Sequence, residues 1–185
     1  MKKMVILPLV AILSFIIFLG DKSEAAINNK PGDIIVTKST SGSGVLGHSG
    51  IYIDTTHILH SSGWASEPYP KVISESQWHS RYAQSKVIRP NSSTIGSNAA
   101  EKAKSYFKDK KIPYKVTSDP TNISKTYCSE LVWYSYYKAG KSLKVPVNIG
   151  GAWTYVVPKG LVKPYDLIDS GAVSKNGFSF IDNKW

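Results

Sequence analysis

Small and apolar residues recur at helical spacing in the stretch that follows Lys125. They are Cys128, Leu131, Val132, Ser135, Tyr136 and Ala139. Positions with this spacing fall on one face of an α-helix. Gly140 then supplies the left-handed residue with which many helices end. The pattern therefore predicts a helix that begins at Cys128 and places this residue at its N-terminal end, on the inward face.

Short runs of β-branched and other apolar residues predict strands in the first half of the chain. The predicted strands are Ile34–Thr37, Gly47–Ile53, His57–Ser62 and Lys86–Arg89, with Ile112–Val116 extended. Ser39–Gly44, rich in serine and glycine, predicts a loop. Asp54–Thr56 forms a turn between the second and third strands, so we expect these two strands to pair as an antiparallel hairpin.

The remaining segments predict two helices and much irregular chain. Asn98–Asp109 has an amphipathic pattern, with Asn98 as its cap and Glu101 three residues on. Ser74–Gln77 has capping-box spacing and opens a second, short helix. It lies in Gly63–Ala83, an irregular aromatic segment of a length that is usually functional. The proline-rich tail predicts loops and short strands.

The N-terminus has the features of an export signal. Lys2 and Lys3 precede an apolar run, and Ser23–Ala25 has the small residues of a cleavage site. We expect residues 1–25 to be removed and residues 26–185 to form a single domain, secreted or associated with the cell wall. An uncleaved membrane anchor is the alternative.

A formal net charge of +10 predicts attraction to a polyanion. Export favours an anionic wall polymer or a membrane surface over nucleic acid, for which the chain has no recognisable module. A basic surface that only keeps the protein soluble is the plainer interpretation. We expect a monomer without a cofactor.

Cys128 is the single cysteine of the chain. Exported proteins usually pair their cysteines in disulfides, so an unpaired one indicates a reactive thiol. The unpaired N–H groups at a helix N-terminus favour an anion, and the thiolate is the nucleophilic form of cysteine. A buried, inert cysteine that acts as a small hydrophobic residue is the alternative.

A nucleophilic cysteine needs a base and a group that orients the base. With a three-residue turn, His60 lies opposite Gly50, so His48 and His60 share one face of the hairpin as diagonal neighbours. Gly50 leaves room for another element to approach. We therefore predict His48 as the base and His60 as its partner. His57 falls on the opposite face, and we expect it and His79 to be ordinary surface or turn residues.

Zinc binding is a competing interpretation of the same residues. His57, His60, His48 and Cys128 carry the nitrogen and sulfur ligands that zinc prefers. However, His57 and His60 point to opposite sides of a strand, and no carboxylate has a matching spacing. We therefore predict no metal site.

Two motifs together resemble a known group of enzymes. The sequences Gly47–Ile53 (GHSGIYI) and Tyr127–Trp133 (YCSELVW), with histidine before cysteine, resemble the circularly permuted NlpC-like, papain-like cysteine hydrolases. The closest likeness is to the YiiX- and YycO-like branch, and it covers about Pro31 to Val173.

This resemblance implies an α+β fold, in which a small, mostly antiparallel sheet or half-barrel packs on the helix that carries the nucleophile. It implies Cys128 as nucleophile, His48 as base and His60 as the third polar residue. A histidine at that third place is similar to the lecithin-retinol acyltransferase branch, whereas many YiiX-like relatives have glutamate. Tyr114, after Pro113, resembles a family tyrosine that helps to build the oxyanion site. Tyr127 stands where unpermuted relatives have aspartate.

Three functions follow from these features. The first is a secreted cysteine hydrolase, a peptidase or amidase acting on cell-wall peptides or related amide bonds. The second keeps the thiol chemistry but acts on lipid acyl groups, as a hydrolase or acyltransferase. The third is a non-catalytic module that binds the cell wall. Reaction of Cys128 with iodoacetamide separates the first two from the third.

Overall fold

A computed structural model describes residues 28–40, 46–183 and 185. The predicted export signal and most of the predicted Ser39–Gly44 loop lie outside these residues. None of the helices in the described ranges is long and apolar enough to cross a membrane.

The protein has the predicted α+β fold with an antiparallel sheet, and this sheet has six strands. In spatial order its strands are β4 (Lys71–Ser74), β3 (His57–His60), β2 (His48–Tyr52), β1 (Ile34–Thr37), β5 (Ser85–Pro90) and β8 (Phe178–Asn183). A separate hairpin pairs β6 (Val145–Ile149) with β7 (Ala152–Val156). The four strands predicted from the apolar runs are all present in the large sheet.

Five helices occupy the described chain around this sheet. They are α1 (Glu75–Arg81), α2 (Ser93–Phe107), α3 (Cys128–Lys138), α4 (Pro164–Leu167) and α5 (Ser170–Lys175). Helix α3 begins at Cys128, as predicted, and Gly140 has the expected positive φ of 87° two residues after its last turn. Its residues are buried from Cys128 to Tyr136, not only along one stripe, because α3 lies inside the main core.

The two faces of the sheet carry different layers. On one face, Ile51 and Leu59 pack with α2 and α3 in the main hydrophobic core. On the other face, Tyr52 and Ile58 pack in a smaller cluster around Trp78 of α1. Because side chains alternate along a strand, consecutive residues of β2 face different layers.

The predicted hairpin has the predicted register. His60 pairs with Gly50 and Leu59 with Ile51. Asp54 fixes the turn, because its carboxylate accepts hydrogen bonds from the backbone N–H groups of Thr56 and His57 at 2.7 Å each.

Three parts of the prediction differ from the structure. Helix α2 begins at Ser93 with Ser92 as its cap, so Asn98 is an interior residue and not the cap. Strand β4 lies within the segment predicted to be irregular, immediately before the short helix that the capping box correctly places. The tail contains α4 and α5, and its last strand, β8, pairs with β5 at the edge of the sheet.

Candidate active site

Cys128 is the first residue of α3 and is almost fully buried, with 5% of its surface exposed. Its sulfur lies 3.9 Å from the hydroxyl of Ser129 and interacts with the backbone and side chain of Ser49 on β2. Burial raises the pKa of the thiol, and the hydrogen bonds from Ser49 and Ser129 offset only part of this effect. The backbone of Ser129 in the first turn of the helix lowers the thiol pKa, as expected of a helix N-terminus, but desolvation outweighs this effect.

His48 and His60 are joined directly. The Nε2 atom of His48 lies 2.9 Å from Nδ1 of His60, and the two rings are nearly perpendicular. Burial lowers the pKa of His60 to about 4. Burial, reinforced by the proximity of His60, also lowers the pKa of His48 well below its ordinary value. Both imidazoles are therefore neutral at pH 7. One of the two facing nitrogens carries a proton and donates the hydrogen bond, and the other accepts the hydrogen bond.

Trp78 of α1 supports this pair from the outer face of the sheet. Its indole stacks on His48, with ring centroids 5.3 Å apart, and meets His60 edge-on at 5.8 Å. A Cβ atom at Gly50 would lie 3.3 Å from the Trp78 ring and 2.5 Å from the Ile58 side chain. The glycine therefore allows this close packing, as the sequence predicts.

Cys128 and His48 reach one cavity from different faces of the sheet. Ser49, which contacts the thiol, faces α3, whereas His48 faces α1. Both Cys128 and His48 line a cavity of about 390 Å³ at the start of β2. Among the described residues, no direct hydrogen bond joins the sulfur to the His48 ring. Because His60 occupies Nε2 of His48, Nδ1 is the nitrogen that remains for the thiol.

Tyr114 lines the same cavity. A backbone bridge between Tyr114 and Thr126 ties its segment to the residues just before α3. Its ring packs on Gly63, where a Cβ atom would lie only 2.9 Å away. Burial and the nearby Cys128 raise the pKa of Tyr114 to about 12. Its hydroxyl therefore keeps its proton at pH 7 and can donate a hydrogen bond.

A second cavity, of about 310 Å³, opens on the other side of Cys128. Its walls are mainly apolar side chains. They include Leu46, Val116, Tyr127, Leu161, Val162, Pro164 and Tyr165. Leu46, Gly47, Tyr114 and Cys128 line both cavities. The thiol therefore lies between a cavity with a mixed polar and apolar lining and a mainly apolar one.

Glu67 is a buried member of the site that sequence reasoning missed. Its carboxylate accepts two hydrogen bonds from Arg81, at 2.9 and 3.1 Å, and one from Lys71 at 2.9 Å. Its Oε2 atom lies 4.0 Å from Nε2 of His60. No motif marks this residue, and the length of the aromatic segment around it is the one signal that favours a functional role.

The amino-acid sequence matches, over residues 4–169, the family described as lipoprotein N-acylation protein LnsA-like. The chain belongs to this LnsA-like family. Family membership suggests an enzyme of the hydrolase or acyltransferase type.

Two individual proteins are similar to this LnsA-like chain. An uncharacterized 30.3 kDa protein of Bacillus thuringiensis is 29% identical over 153 residues, which cover 76% of the chain and 53% of that relative. The chain thus spans about half the length of this curated relative. The crystal structure of metalloprotein YiiX from Escherichia coli O157:H7 has a TM-score of 0.62 at 19% identity, covering 85% of the chain and 99% of YiiX. This likeness confirms the YiiX-like fold; the wider papain-like grouping stays a prediction.

The name of the YiiX structure raises the question whether the LnsA-like site could hold a metal. Among the described residues, no group of three or more histidine, cysteine or acidic side chains has a suitable arrangement. His48 and His60 use one nitrogen each on the other, and Arg81 and Lys71 bind both oxygens of Glu67. These donors do not fit a metal centre.

The structure thus groups the predicted site residues of this LnsA-like chain. Cys128, His48 and Tyr114 line one cavity, and His60, which is not in the cavity wall, contacts Nε2 of His48. His57 is exposed and bonds to Asp54, outside this group. His79 lies on α1 at 3.8 Å from Glu75. The chemical roles of the grouped residues stay predictions.

Proposed function

We propose that the protein is a cysteine-dependent acyl-transfer enzyme in which Cys128 carries the acyl group as a thioester. His48 takes the thiol proton on Nδ1, and the sulfur attacks the carbonyl carbon of an ester or amide. His48 then returns the proton to the departing oxygen or nitrogen. Water or an amine, deprotonated by His48, attacks the thioester and takes the acyl group, and His48 returns that proton to the departing sulfur, which restores the thiol.

The oxyanion formed in each attack needs hydrogen-bond donors. The backbone N–H of Cys128 lies at the start of α3, where helix N–H groups lack intrahelical acceptors. The Tyr114 hydroxyl supplies a second donor from the shared wall of the two cavities. One such donor is typically worth about 3 kcal/mol of barrier.

One observation carries the choice of substrate: the thiol lies between an apolar cavity and a cavity of mixed polar and apolar lining. An acyl chain fits the apolar cavity, and the polar head of the donor, or the incoming acceptor, fits the other. Exposed Leu46, Val116 and Leu161 ring the apolar cavity, as expected where a lipid chain enters. The family description, which names lipoprotein N-acylation, agrees with a lipid acyl substrate. We therefore place lipid acyl groups before wall peptides.

A cell-wall peptide remains the second candidate. The cavity of mixed lining, with Trp64 and Arg81 in its wall, is large enough for part of a peptide. Secretion and the net charge of +10 would bring the enzyme to an anionic wall or membrane surface. For both candidates we also propose that the protein is exported, that it is a monomer and that its fold is a circularly permuted papain-like one.

The test is capture of the acyl-enzyme. The full-length protein is incubated with a phospholipid, an N-acylated peptide or a muropeptide, and its mass is measured after acid quenching. We expect an acyl-sized increase on Cys128 with a lipid donor, sensitive to hydroxylamine and absent in Cys128→Ala. Turnover of muropeptides alone would favour the second candidate. Full turnover in Cys128→Ala would end both.

A further inference from the structure

We propose that Glu67 is a positioning residue that acts through His60 to fix the tautomer of His48. This role rests on the proposed function, in which His48 takes the proton of Cys128. The chain of contacts runs from the carboxylate in the loop after β3, through His60 on β3, to His48 on β2.

Glu67 is held as a charged acceptor. Burial would raise its pKa, but the hydrogen bonds from Arg81 and Lys71 outweigh burial and lower the pKa to about 2. The Arg81 guanidinium bonds both carboxylate oxygens, which fixes the plane of the group. At neutral pH the Glu67 side chain can accept hydrogen bonds but cannot donate one.

The Nε2 atom of His60 faces this carboxylate. It is buried and, among the described residues, has no hydrogen-bond partner. Its 4.0 Å separation from Oε2 of Glu67 is too long for a hydrogen bond but short enough for strong electrostatics in a buried site. A nitrogen lone pair aimed at a carboxylate is repelled, whereas an N–H is attracted. The geometry therefore favours a proton on Nε2 of His60.

The proton on Nε2 of His60 determines which nitrogen of His48 carries a proton. A neutral imidazole carries one N–H, so Nδ1 of His60 is then an acceptor. Nδ1 of His60 lies 2.9 Å from Nε2 of His48, which must therefore donate. Nδ1 of His48 is left without a proton, which is the state required to accept the proton of the thiol. The opposite tautomer would leave His48 unable to act as a base from this nitrogen.

The same carboxylate favours the charged state that follows proton transfer. When the thiol proton moves to His48, a thiolate and an imidazolium form. The charge of Glu67 raises the pKa of both imidazoles, whereas Arg81, from α1, lowers both and Lys71, from β4, lowers that of His60. Tyr82, also beside His48, is neutral because burial raises its pKa to about 12.

The first test is the tautomer itself, measured by ¹⁵N NMR of histidine-labelled, full-length protein at neutral pH. We expect Nε2–H on both His48 and His60, with Nδ1 unprotonated. In Glu67→Gln we expect His60 to populate the Nδ1–H form. Glu75→Gln is the matched control, because Glu75 also accepts hydrogen bonds in a partly buried site on this face of the sheet but forms no hydrogen bond or ion pair with His60. Unchanged tautomers in Glu67→Gln, or Nδ1–H on His60 in the wild type, would overturn the proposal.

The second test is the rate of Cys128 alkylation by iodoacetamide as a function of pH. We expect Glu67→Gln to slow alkylation at pH 7 by roughly 10-fold or more, by analogy with a metal-bound histidine that loses the partner that orients it. Glu75→Gln should match the wild type. If His48→Ala also alkylates like the wild type, the proposed function itself fails. If His48→Ala is slow but Glu67→Gln is normal, only the role of Glu67 fails.

Two milder variants separate positioning from stability. Glu67→Asp keeps the charge and should retain most of the alkylation rate that Glu67→Gln loses. Lys71→Gln removes an opposing cation from a half-exposed site and should raise the apparent imidazole pKa, the opposite of Glu67→Gln. If Glu67 had a purely structural role, neither Glu67→Asp nor Lys71→Gln would change the pH dependence of Cys128 alkylation in the direction stated, whatever the thermal stability of each variant.

Discussion

His60 stands opposite Gly50 on the neighbouring strand, and its Nδ1 atom lies 2.9 Å from Nε2 of His48, two residues along from that glycine. The contact is a diagonal one on a single face of the hairpin. It holds the His48 ring by one nitrogen and leaves the other for chemistry. The orientation of the base therefore depends on strand register rather than on a flexible loop.

Loss of His60 should impair catalysis more than folding at moderate temperature. In His60→Ala, Nε2 of His48 loses its partner, so the ring can rotate or change tautomer. We expect acyl transfer to fall by between roughly 10- and 100-fold, by analogy with residues that orient a metal-bound histidine. Steady-state kinetics with a lipid acyl donor measure this effect.

His57→Ala provides the matched control for this experiment. His57 is on the same strand but is exposed and bonds to Asp54. Its replacement should leave the rate within experimental error of the wild type. Equal losses in the two variants would show that the strand, and not the His48 contact, is what matters.

His60 should also make folding sensitive to acid. Its pKa is about 4 in the folded protein and about 6.5 in an unfolded chain, so the unfolded state binds more protons between these values. The free energy of unfolding should therefore fall as the pH drops from about 7 to about 4, by about 3 kcal/mol from this residue. Urea unfolding of the wild type and of His60→Gln across this pH range isolates the contribution of His60 to the free energy of unfolding. The gap between the two proteins should shrink on acidification, and a constant gap would contradict the prediction.

The hairpin illustrates what could be predicted from sequence. Two apolar runs and a turn of fixed length determine which side chains share a face, because the alternation along a strand is strict. That reasoning placed His48 and His60 together and His57 apart, and the register confirms it. The start of α3 at Cys128 can be predicted from equally local information, because the helical spacing and Gly140 both lie within one short segment.

Contacts between distant segments could not be predicted in this way. Arg81 of α1 and Lys71 of β4 orient Glu67, and their positions depend on how these two elements pack against the loop after β3. Helix α2 starts at Ser93 after its cap Ser92, and Gly96 in its first turns packs closely against the backbone at Gly32, where an added Cβ atom would collide. The sequence pattern around Ser93 is too polar and glycine-interrupted to indicate that contact.

Glu130, in the first turn of α3, should affect stability with the opposite pH dependence. It is buried, and burial raises its pKa to about 7 although Thr117 donates a hydrogen bond to it at 2.9 Å. Because the folded state holds this proton more tightly than the unfolded state, its contribution is lost as the pH rises from about 4.5 to about 7. Glu130→Gln cannot titrate, so its stability relative to the wild type should increase over this range in urea unfolding. A pH-independent difference would show that the carboxyl titrates normally.

The apolar cavity should determine the preferred length of the acyl chain. Leu161 lines this cavity and is 45% exposed, so Leu161→Trp can be accommodated while it reduces the space beside Cys128. We expect the optimum to move to shorter acyl chains in assays with a series of donors. Ile149→Trp, on the exposed end of β6 and outside the cavity wall, is the control and should keep the wild-type profile. Identical profiles for both variants would place the acyl chain elsewhere.

Tyr114→Phe should separate oxyanion stabilisation from thiol activation. The hydroxyl is protonated at neutral pH and lines both cavities beside Cys128, so its removal takes away a hydrogen-bond donor without changing the base. We expect kcat to fall by roughly 100- to 1000-fold, the usual cost of one such donor. Alkylation of Cys128 by iodoacetamide forms no oxyanion and should proceed at the wild-type rate. Tyr69→Phe, which has nearly the same exposure in the aromatic segment but lines neither cavity, should be active. Parallel losses of kcat and alkylation in Tyr114→Phe would instead indicate that the ring only packs against the site.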